Sequence, residues 1–398
     1  IKYMYKHSEL TPLIIVAVDS KFKYFDYQRF EIDYLKKYCN IKILDLGELY
    51  SKSYYGSISA VEYRGQDITS VSTYRKLFKE IMALKSNSLR SNTVVMNFIR
   101  PTSFASLCFL IAINKLAIKS VVYYNSGWPI VPKKNRLTFR FIMKGSLRRF
   151  FNTCGSLIDI SPTHYLYAGN YWKSVCESRK NKFKTSLIAG STWDYSNFLI
   201  KGKKSIRPSD ALNKSAVLLD GAGPMFGSDD VHIGKKTFFT NDVWYPSLVK
   251  FFEKVEELSG VKIDVAGHPK SLHKDNPLYF GGRNVFYGKT TDLIETASFV
   301  ITRASTALSY AIILNKPILL IYSNELMADV AAMAAINKVA KLVGTTPINI
   351  NDEVVDFSQY LYINDRCYTS YSCNFLTSVK CDRSNAQILL EDVLSLKF

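Results

Sequence analysis

The stretch that decides the fold reads VKIDVAGHPK at 261–270 and ASFVITRASTALSYAIILNKPILLIYS at 297–323. It contains three short apolar runs, bounded by glycine, proline or polar residues, at 261–266, 299–302 and 317–322. Short aliphatic and β-branched runs of this kind are typical of parallel strands that are buried on both faces. A helical pattern separates the second run from the third. The stretch therefore predicts part of a parallel sheet with helices packed against it.

Polar residues follow two of these predicted strands. His268 follows the first strand, and Ser305 and Thr306 stand where the second strand gives way to its helix. Ligands bind at the carboxyl edge of a parallel sheet, and a helix N-terminus there offers free backbone N–H groups to an anion. We therefore predict a phosphate site on this edge. The alternatives are a structural histidine and hydroxyls that only cap the helix.

A glycine-rich segment, LLDGAGPMFGSDDVHIG at 218–234, follows another apolar run. Glycine lets the backbone turn sharply or approach a ligand closely, although this spacing is neither a dinucleotide fingerprint nor a P-loop. The segment would carry Asp229 and Asp230 to the edge where we place His268. The alternative is that these aspartates only solvate an exposed loop. Further donor-binding candidates are Gly221, Gly223, Pro224, Pro269 and Lys270.

These motifs resemble the nucleotide-binding half of bacterial transferases that use CMP-activated 2-keto sugars. The resemblance rests on the His268–Pro269 pair after a strand and the Ser305–Thr306 pair that opens a later helix. Sialyltransferases, polysialyltransferases and Kdo (3-deoxy-D-manno-octulosonic acid) transferases of the two-domain GT-B fold form this group. Its most similar members are the retaining β-Kdo transferase modules of capsule and O-antigen assembly. The shared motifs are short and cover only part of the chain.

The resemblance implies a chemical role for each catalytic candidate. His268 would donate a hydrogen bond to the phosphate of CMP and stabilise the departing nucleotide, and Lys270 would add positive charge. Asp229, or the adjacent Asp230, would attack the anomeric carbon of the donor sugar. A CMP-sugar leaves a phosphate monoester, which a histidine, hydroxyls and a helix N-terminus can stabilise. We therefore expect no metal ion and no cofactor.

Arg303 is the remaining donor-side candidate. An arginine in a buried strand is unusual unless its side chain points into a cleft. A planar guanidinium suits the carboxylate of a 2-keto sugar, because it can donate two parallel hydrogen bonds. The alternative is a structural ion pair with Glu295.

The first half of the chain departs from the inverting sialyltransferases, which carry an acidic pair before glycine at the end of a strand. The comparable sequence here is VVYYNSG at 121–127, where Asn125 and Ser126 replace the two carboxylates. Neither side chain can act as a carboxylate base, so that role passes to the two loop aspartates. Two successive displacements at one carbon would then retain its configuration. Asp159, in a predicted strand at 157–160, is the rival carboxylate on the acceptor side.

Strand-like and helix-like stretches alternate on both sides of a polar, basic segment at 201–210. Such alternation predicts parallel sheets wound with helices on both faces. We therefore expect the GT-B fold, in which two Rossmann-like doubly wound domains face a cleft. Residues 1–204 would bind the acceptor and 205–383 the CMP-sugar, and a terminal helix at 384–398 would cross back to the first domain. Before the linker, the predicted strands are 13–18, 41–46, 93–98, 120–124, 157–160 and 187–189, and the predicted helices are 27–38, 72–84 and 104–117.

Positive charge is concentrated in the first half. Residues 1–207 contain 34 Lys and Arg against 13 Asp and Glu, whereas residues 208–398 contain 18 against 21. A basic field of this kind attracts an acidic membrane surface and also attracts nucleic acid. We expect the membrane and no nucleic acid. A basic amphipathic helix predicted at 137–151 would dock on the membrane, or would be an ordinary surface helix.

The sequence therefore predicts a cytoplasmic enzyme, peripheral at the inner membrane, in bacterial surface polysaccharide synthesis. It would transfer Kdo from CMP-Kdo to a glycan acceptor, free or lipid-linked, with retention and a β-Kdo product. Two alternatives stay open: an inverting sialyltransferase or polysialyltransferase that uses CMP-sialic acid, and a non-catalytic module that binds glycan or nucleic acid. The seven cysteines lack metal-site spacing and favour free thiols.

Overall fold

The first half of the chain forms a seven-stranded parallel sheet in the computed structural model. Its spatial order is β3-β2-β1-β4-β5-β6-β7, and every neighbouring pair is parallel. The order reverses between β1 and β4, which is the arrangement of a doubly wound sheet. The strands are β1 (Leu13–Val18), β2 (Asn40–Asp45), β3 (Ile68–Ser70), β4 (Thr93–Phe98), β5 (Lys119–Tyr124), β6 (His164–Ala168) and β7 (Ser186–Gly190).

The second half forms a separate parallel sheet of six strands. Its order is β10-β9-β8-β11-β12-β13, so the direction of winding reverses between β8 and β11. The predicted fold, two Rossmann-like doubly wound domains, is therefore confirmed. The strands are β8 (Ser215–Leu219), β9 (Lys262–Ala266), β10 (Val285–Phe286), β11 (Val300–Thr302), β12 (Ile318–Tyr322) and β13 (Ile348–Asn349).

Helices connect the strands and cover both faces of each sheet. In the first half they are α1 (Tyr24–Arg29), α2 (Ile32–Leu35), α3 (Gly47–Tyr50), α4 (Tyr74–Ala83), α5 (Phe104–Lys115), α6 (Gly169–Arg179) and α7 (Trp193–Ile200). In the second half they are α8 (Asn241–Ser259), α9 (Thr290–Thr296), α10 (Leu308–Ile313), α11 (Val330–Val343), α12 (Asp365–Tyr371) and α13 (Asn385–Ile388). The structure describes residues 11–50, 62–85, 92–127, 158–181, 184–200, 215–221, 224, 240–268, 277–303, 305–353, 356–378 and 382–396.

Alternate residues of the central strands enter different hydrophobic layers. In β1, Ile14 and Val16 pack on one face of the first sheet and Ile15 and Ala17 on the other. The strand at 215–219 divides its side chains between two layers in the same way. Burial on both faces explains why these strands are continuous apolar runs in the sequence.

Some elements differ from the prediction. The strand predicted at 157–160 was wrong, because residues 158–160 form a turn and the strand lies at His164–Ala168. The single helix predicted at 27–38 is two short helices, since the backbone of Glu31 is left-handed with φ of 59°. The predicted domain boundary at 204/205 and the basic helix predicted at 137–151 lie outside the described residues.

The end of the chain returns to the first sheet. After α12, a π-helical turn at Ser372–Leu376 packs so closely on α6 that a Cβ at Gly169 would lie 2.5 Å from the backbone of Asn374. Only glycine fits this position, where φ is also +74°. A second π-helical turn, Leu389–Val393, extends α13 and packs in the hydrophobic layer of the first sheet. The terminal segment therefore completes the core of the first domain.

A buried glutamate anchors this terminal segment. The Ala386 backbone N–H at the start of α13 donates a hydrogen bond of 2.8 Å to Glu31 Oε2. Burial raises the pKa of Glu31 to about 7, although hydrogen bonds from Ser196, Ala386 and Ser384 oppose the shift. The pKa of Tyr123 is also raised, mainly by burial and further by the nearby charge of Glu31. The Glu31 carboxyl therefore binds its proton more tightly in the folded than in the unfolded chain.

We predict that this carboxyl makes stability fall as the pH rises. The contribution is full below the unfolded pKa of 4.5 and is lost as the pH rises through about 7. Glu31→Gln keeps an oxygen acceptor but cannot ionise, so it should be more stable than wild type at pH 8, by up to about 3 kcal/mol. At pH 4.5 the two proteins should be nearly equal. Urea unfolding at both pH values measures the difference, with Glu253→Gln, at an exposed position of α8, as the control. Equal pH dependence in Glu31→Gln and wild type would contradict the assignment.

No helix in the described ranges combines the length and the apolar character needed to cross a membrane. The cysteines in those ranges, at positions 39, 108, 176, 367 and 373, carry free thiols.

Candidate functional site

The predicted donor site lies at the switch point of the second sheet. Strand β8 lies between β9 and β11, and its last residue Leu219 pairs with Ala266 on one side and Thr302 on the other. The residues that follow these three are therefore brought to one edge. They are Asp220 and Gly221 after β8, Gly267 and His268 after β9, and Arg303 and Ser305 after β11. Neighbouring strands are about 4.8 Å apart, so the candidates leave the sheet side by side.

Asp220 fixes the backbone around His268. Its side chain is buried, and its Oδ2 accepts a hydrogen bond of 3.3 Å from the His268 backbone N–H. Gly267 packs so closely that a Cβ there would lie 2.7 Å from the Tyr287 ring. The backbone at His268 is therefore held by the Asp220 carboxylate, which follows β8, and by the Tyr287 ring, which follows β10.

The charges of Arg303 and Asp220 both affect the pKa of one buried tyrosine, Tyr245. Burial raises the pKa of Tyr245 most, the negative charge of Asp220 raises it further, and the positive charge of Arg303 lowers it. Tyr245 comes from α8 and stacks on Tyr279, with ring centroids 4.3 Å apart. Arg303 therefore carries its charge close to the same edge as Asp220. The alternative partner, Glu295, lies close to Lys316 and raises the pKa of that lysine, which burial lowers overall.

Ser305 and Thr306 precede the helix and do not open it. Helix α10 begins at Leu308, and the Ala307 N–H donates a hydrogen bond of 3.2 Å to Ser305 Oγ. Ser305 therefore stabilises the turn before the helix through its own side chain and is not the helix cap that we gave as the alternative, since the cap position is Ala307. Phosphate binding by Ser305 and Thr306 remains a prediction. Below this turn, the buried hydroxyl of Thr302 has no hydrogen-bond partner in the structure as described.

Several predicted residues are not described. Gly221 directly follows Asp220, and Pro224 lies in a turn beyond it. The proposed nucleophile and its neighbour fall outside the described residues, as do three donor-binding candidates: Asp229, Asp230, Gly223, Pro269 and Lys270. Their roles remain predictions.

The Asn125–Gly127 turn is occupied by structural contacts. Asn125 is buried, and its Nδ2 donates to the Ser191 carbonyl at 3.2 Å. The Ser126 carbonyl accepts a hydrogen bond of 2.7 Å from Trp172 Nε1, and the Gly127 carbonyl accepts one of 2.6 Å from the Tyr371 hydroxyl. Since Tyr371 belongs to α12, this turn joins the first domain to the returning end of the chain.

Asp159 is not at the carboxyl edge of the first sheet. It precedes β6, so it lies toward the opposite edge, where its carboxylate pairs with Lys184. The hydrogen bond from Lys184 is the main cause that lowers the pKa of Asp159. The position predicted for Asp159 was therefore wrong, because the strand assigned to it begins five residues later, at His164.

Asp194 is a carboxyl group between the domains that the sequence prediction missed. It lies in the first turn of α7, next to the Oγ of Ser309 on α10. Burial raises the pKa of Asp194, while hydrogen bonds from Ser309 and Tyr310 and the charge of Arg29 oppose the shift. The only signal in the sequence was an acidic residue five positions after a predicted strand at 187–189, in a half of the chain where acidic residues are scarce.

Ser309 links this carboxyl to the loop that follows β11. Its Oγ also lies 2.9 Å from the Thr306 carbonyl oxygen, which can only accept a hydrogen bond. One hydroxyl proton cannot be donated fully to two acceptors. A protonated Asp194 would resolve the conflict, since it would donate to Ser309 Oγ and leave the Ser309 proton for Thr306. The raised pKa of Asp194 agrees with this direction.

We predict that Asp194 stabilises the domain contact as a donor. Asp194→Asn retains an N–H donor and should keep wild-type stability within about 0.5 kcal/mol, whereas Asp194→Ala should lose about 1–3 kcal/mol. Ser309→Ala should cost a similar amount, and the double variant should cost less than the sum of the two. Urea unfolding measures all four variants, with Glu253→Ala, at an exposed position in the middle of α8, as the control. Equal losses in Asp194→Asn and Asp194→Ala would show that the ionised carboxylate is the acting form.

Among the described residues, no three His, Cys, Asp or Glu side chains lie together as a metal site would require.

No family model and no curated protein matches this sequence. Solved structures with a similar fold include Acinetobacter baumannii MurG, at 10% identity and a TM-score of 0.43 over 96% of this chain and 98% of that one. The UDP-GlcNAc 2-epimerase of Methanocaldococcus jannaschii has 11% identity and a TM-score of 0.49, over 96% and 99%. Arabidopsis thaliana UGT89C1, complexed with UDP-L-rhamnose, has 11% and 0.48, over 98% and 99%. Identities this low concern the fold alone and transfer no substrate or reaction.

Proposed function

We propose that this protein is a glycosyltransferase that uses a nucleotide-activated sugar, and that its donor is CMP-Kdo. The observation that carries the proposal is the alignment of His268, Arg303 and Ser305 at the switch point of the second sheet. This is where open α/β sheets bind their ligands. The resemblance of the same residues to CMP-sugar transferases supplies the identity of the donor.

His268 and Arg303 would bind different groups of the donor. The imidazole of His268 would donate to the phosphate, and the guanidinium of Arg303 would bind the sugar carboxylate through two hydrogen bonds. Asp220 adds a negative charge close to the same edge. Binding an anion there therefore depends on these two side chains, together with the hydroxyls of Ser305 and Thr306.

Retention at the anomeric carbon requires a nucleophile. Asp229 would attack that carbon as CMP departs, forming a glycosyl ester, and the acceptor hydroxyl would then displace the aspartate. The Asn125–Gly127 turn supports this assignment, because it has no carboxylate and its carbonyls are engaged in structural contacts. The second candidate is an inverting sialyltransferase or polysialyltransferase. An anomeric assignment of the product by NMR separates the two.

We predict that variants of His268 and Arg303 respond differently to CMP and to CMP-Kdo. CMP has the phosphate but no carboxylate, so His268→Ala should weaken CMP binding by about tenfold or more, while Arg303→Ala should leave it nearly unchanged. For CMP-Kdo, both variants should raise KM. Calorimetric titration with CMP and a CMP-release assay measure these effects, with Lys262→Ala, at an exposed position of β9, as the control.

The same assay tests the donor directly. Wild-type protein is incubated with CMP-Kdo, CMP-sialic acid and UDP-GlcNAc, with and without acceptor, and with EDTA in parallel. Release from CMP-Kdo that persists in EDTA supports the proposal. Release from UDP-GlcNAc alone would identify a different donor class, and no binding of any nucleotide would favour a non-catalytic module.

We predict that Asp229→Asn abolishes transfer, by about 10³-fold or more, because an amide cannot form the glycosyl ester. CMP binding should change less than threefold, since the phosphate contacts remain. Intact-mass analysis of the wild type with CMP-Kdo should show a Kdo adduct that the variant lacks. Asp230→Asn is the matched control. Full turnover in Asp229→Asn together with loss of turnover in Asp230→Asn would identify Asp230 as the nucleophile.

A further inference from the structure

Helix α4 exposes an apolar stripe on the surface of the first domain. Tyr74, Phe78 and Met82 follow one another at four-residue spacing, so they lie on one side of the helix. Their exposed fractions are 44%, 51% and 58%, and Phe104 of α5 beside them is 58% exposed. The rings of Tyr74 and Phe104 are 6.0 Å apart, which makes the four side chains one continuous patch. Patches of large apolar side chains on a monomer mark interaction sites.

The helix has a separate side for the core. Leu77 is fully buried and Ile81 packs against the same hydrophobic layer of the first sheet. The stripe lies next to this buried side and does not take part in it. The helix therefore packs on the sheet without these residues, and the fold does not explain why they are apolar.

Basic residues border the stripe. Arg75 and Lys79 are exposed and lie directly after Tyr74 and Phe78 in the sequence, so they flank the stripe on one side. Lys76 and Lys85 are also exposed on or near this helix. Glu80 is the acidic residue of this helix, and Lys42 binds it in an ion pair. The surface around the stripe is therefore apolar and positively charged. An apolar strip with a cationic border matches the interface of an anionic bilayer, where acyl chains lie below negative headgroups.

The patch also has a defined place relative to the cleft. Tyr74 follows β3 and Phe104 follows β4, so both lie toward the carboxyl edge of the first sheet. The same edge carries the Asn125–Gly127 turn, which contacts the end of the chain. The stripe thus runs from the cleft side of the domain along the outside of α4.

We propose that the stripe of Tyr74, Phe78, Met82 and Phe104 docks the protein on an anionic lipid surface. The aromatic rings and the thioether enter the headgroup region, and Arg75 and Lys79 bind the lipid phosphates. None of these residues belongs to the basic helix predicted at 137–151, and the docking does not depend on which sugar the protein transfers. Docking by this face sets the bilayer beside the cleft entrance.

Vesicle cosedimentation of the whole protein tests the docking surface. The vesicles are phosphatidylcholine alone, or phosphatidylcholine with about 30% phosphatidylglycerol, a proportion that gives a negative surface potential. The apolar variant is Phe78→Ser with Met82→Ser, and the basic variant is Arg75→Ser with Lys79→Ser. The matched control is Met327→Ser with Val330→Ser, two exposed apolar residues of the second domain. Thermal unfolding and far-UV circular dichroism verify that each variant is folded.

Wild type and control should bind the anionic vesicles, and should bind phosphatidylcholine much more weakly. The apolar variant should lose about tenfold in partition coefficient at any salt concentration, because apolar burial is not screened. The basic variant should lose several-fold at low salt and less at high salt. Equal binding of wild type and apolar variant would overturn the proposal. So would a wild-type dimer in sedimentation that only the apolar variant abolishes, since the stripe would then be a contact between two copies.

Discussion

The first sheet depends on residues at the far end of the chain. Ile388, Leu389, Leu390 and Val393 belong to the same hydrophobic layer as β1 and β4, and the Ala386 N–H is held by the buried carboxyl of Glu31. A sheet that must be covered on both faces cannot leave this area exposed to water. The returning segment is therefore part of the first domain in packing, although it follows the second domain in sequence.

The return path also fixes the two sheets relative to each other. The Leu376 carbonyl accepts from the Thr192 N–H at 2.7 Å, and the Tyr371 hydroxyl donates to the Gly127 carbonyl. Ser309 adds the hydrogen-bonded link from Asp194 to the loop at Thr306. These contacts hold the carboxyl edge of the first sheet against the loop that follows β11. The carboxyl edge of the second sheet is thus supported from the other domain, through side chains outside the predicted donor site.

The strands were predictable where a short apolar run decides them. Strands β1 and β4 have the predicted bounds, because each is mainly a short aliphatic run that is buried along almost its whole length. Strand β6, HYLYA, was missed because its histidine and tyrosines carry polar groups that only their neighbours explain. Parallel-sheet rules placed His268 and Arg303 on one edge. The contacts of Asn125 and the role of Asp194 could not be predicted, since their partners are 66 and 115 residues away in sequence.

The terminal anchor has a consequence for biosynthesis. A ribosome releases the chain from its amino end, so strands β1 to β7 emerge long before Ile388 and Val393 are made. Until then the nascent first domain keeps one apolar surface uncovered and must avoid associating with other chains. The second sheet, by contrast, has all of its strands once residue 349 has been made, before the returning segment is synthesised. The amino-terminal half therefore reaches its final packing only after residues 385–393 have been synthesised, and its maturation requires a contact between residues more than 350 positions apart.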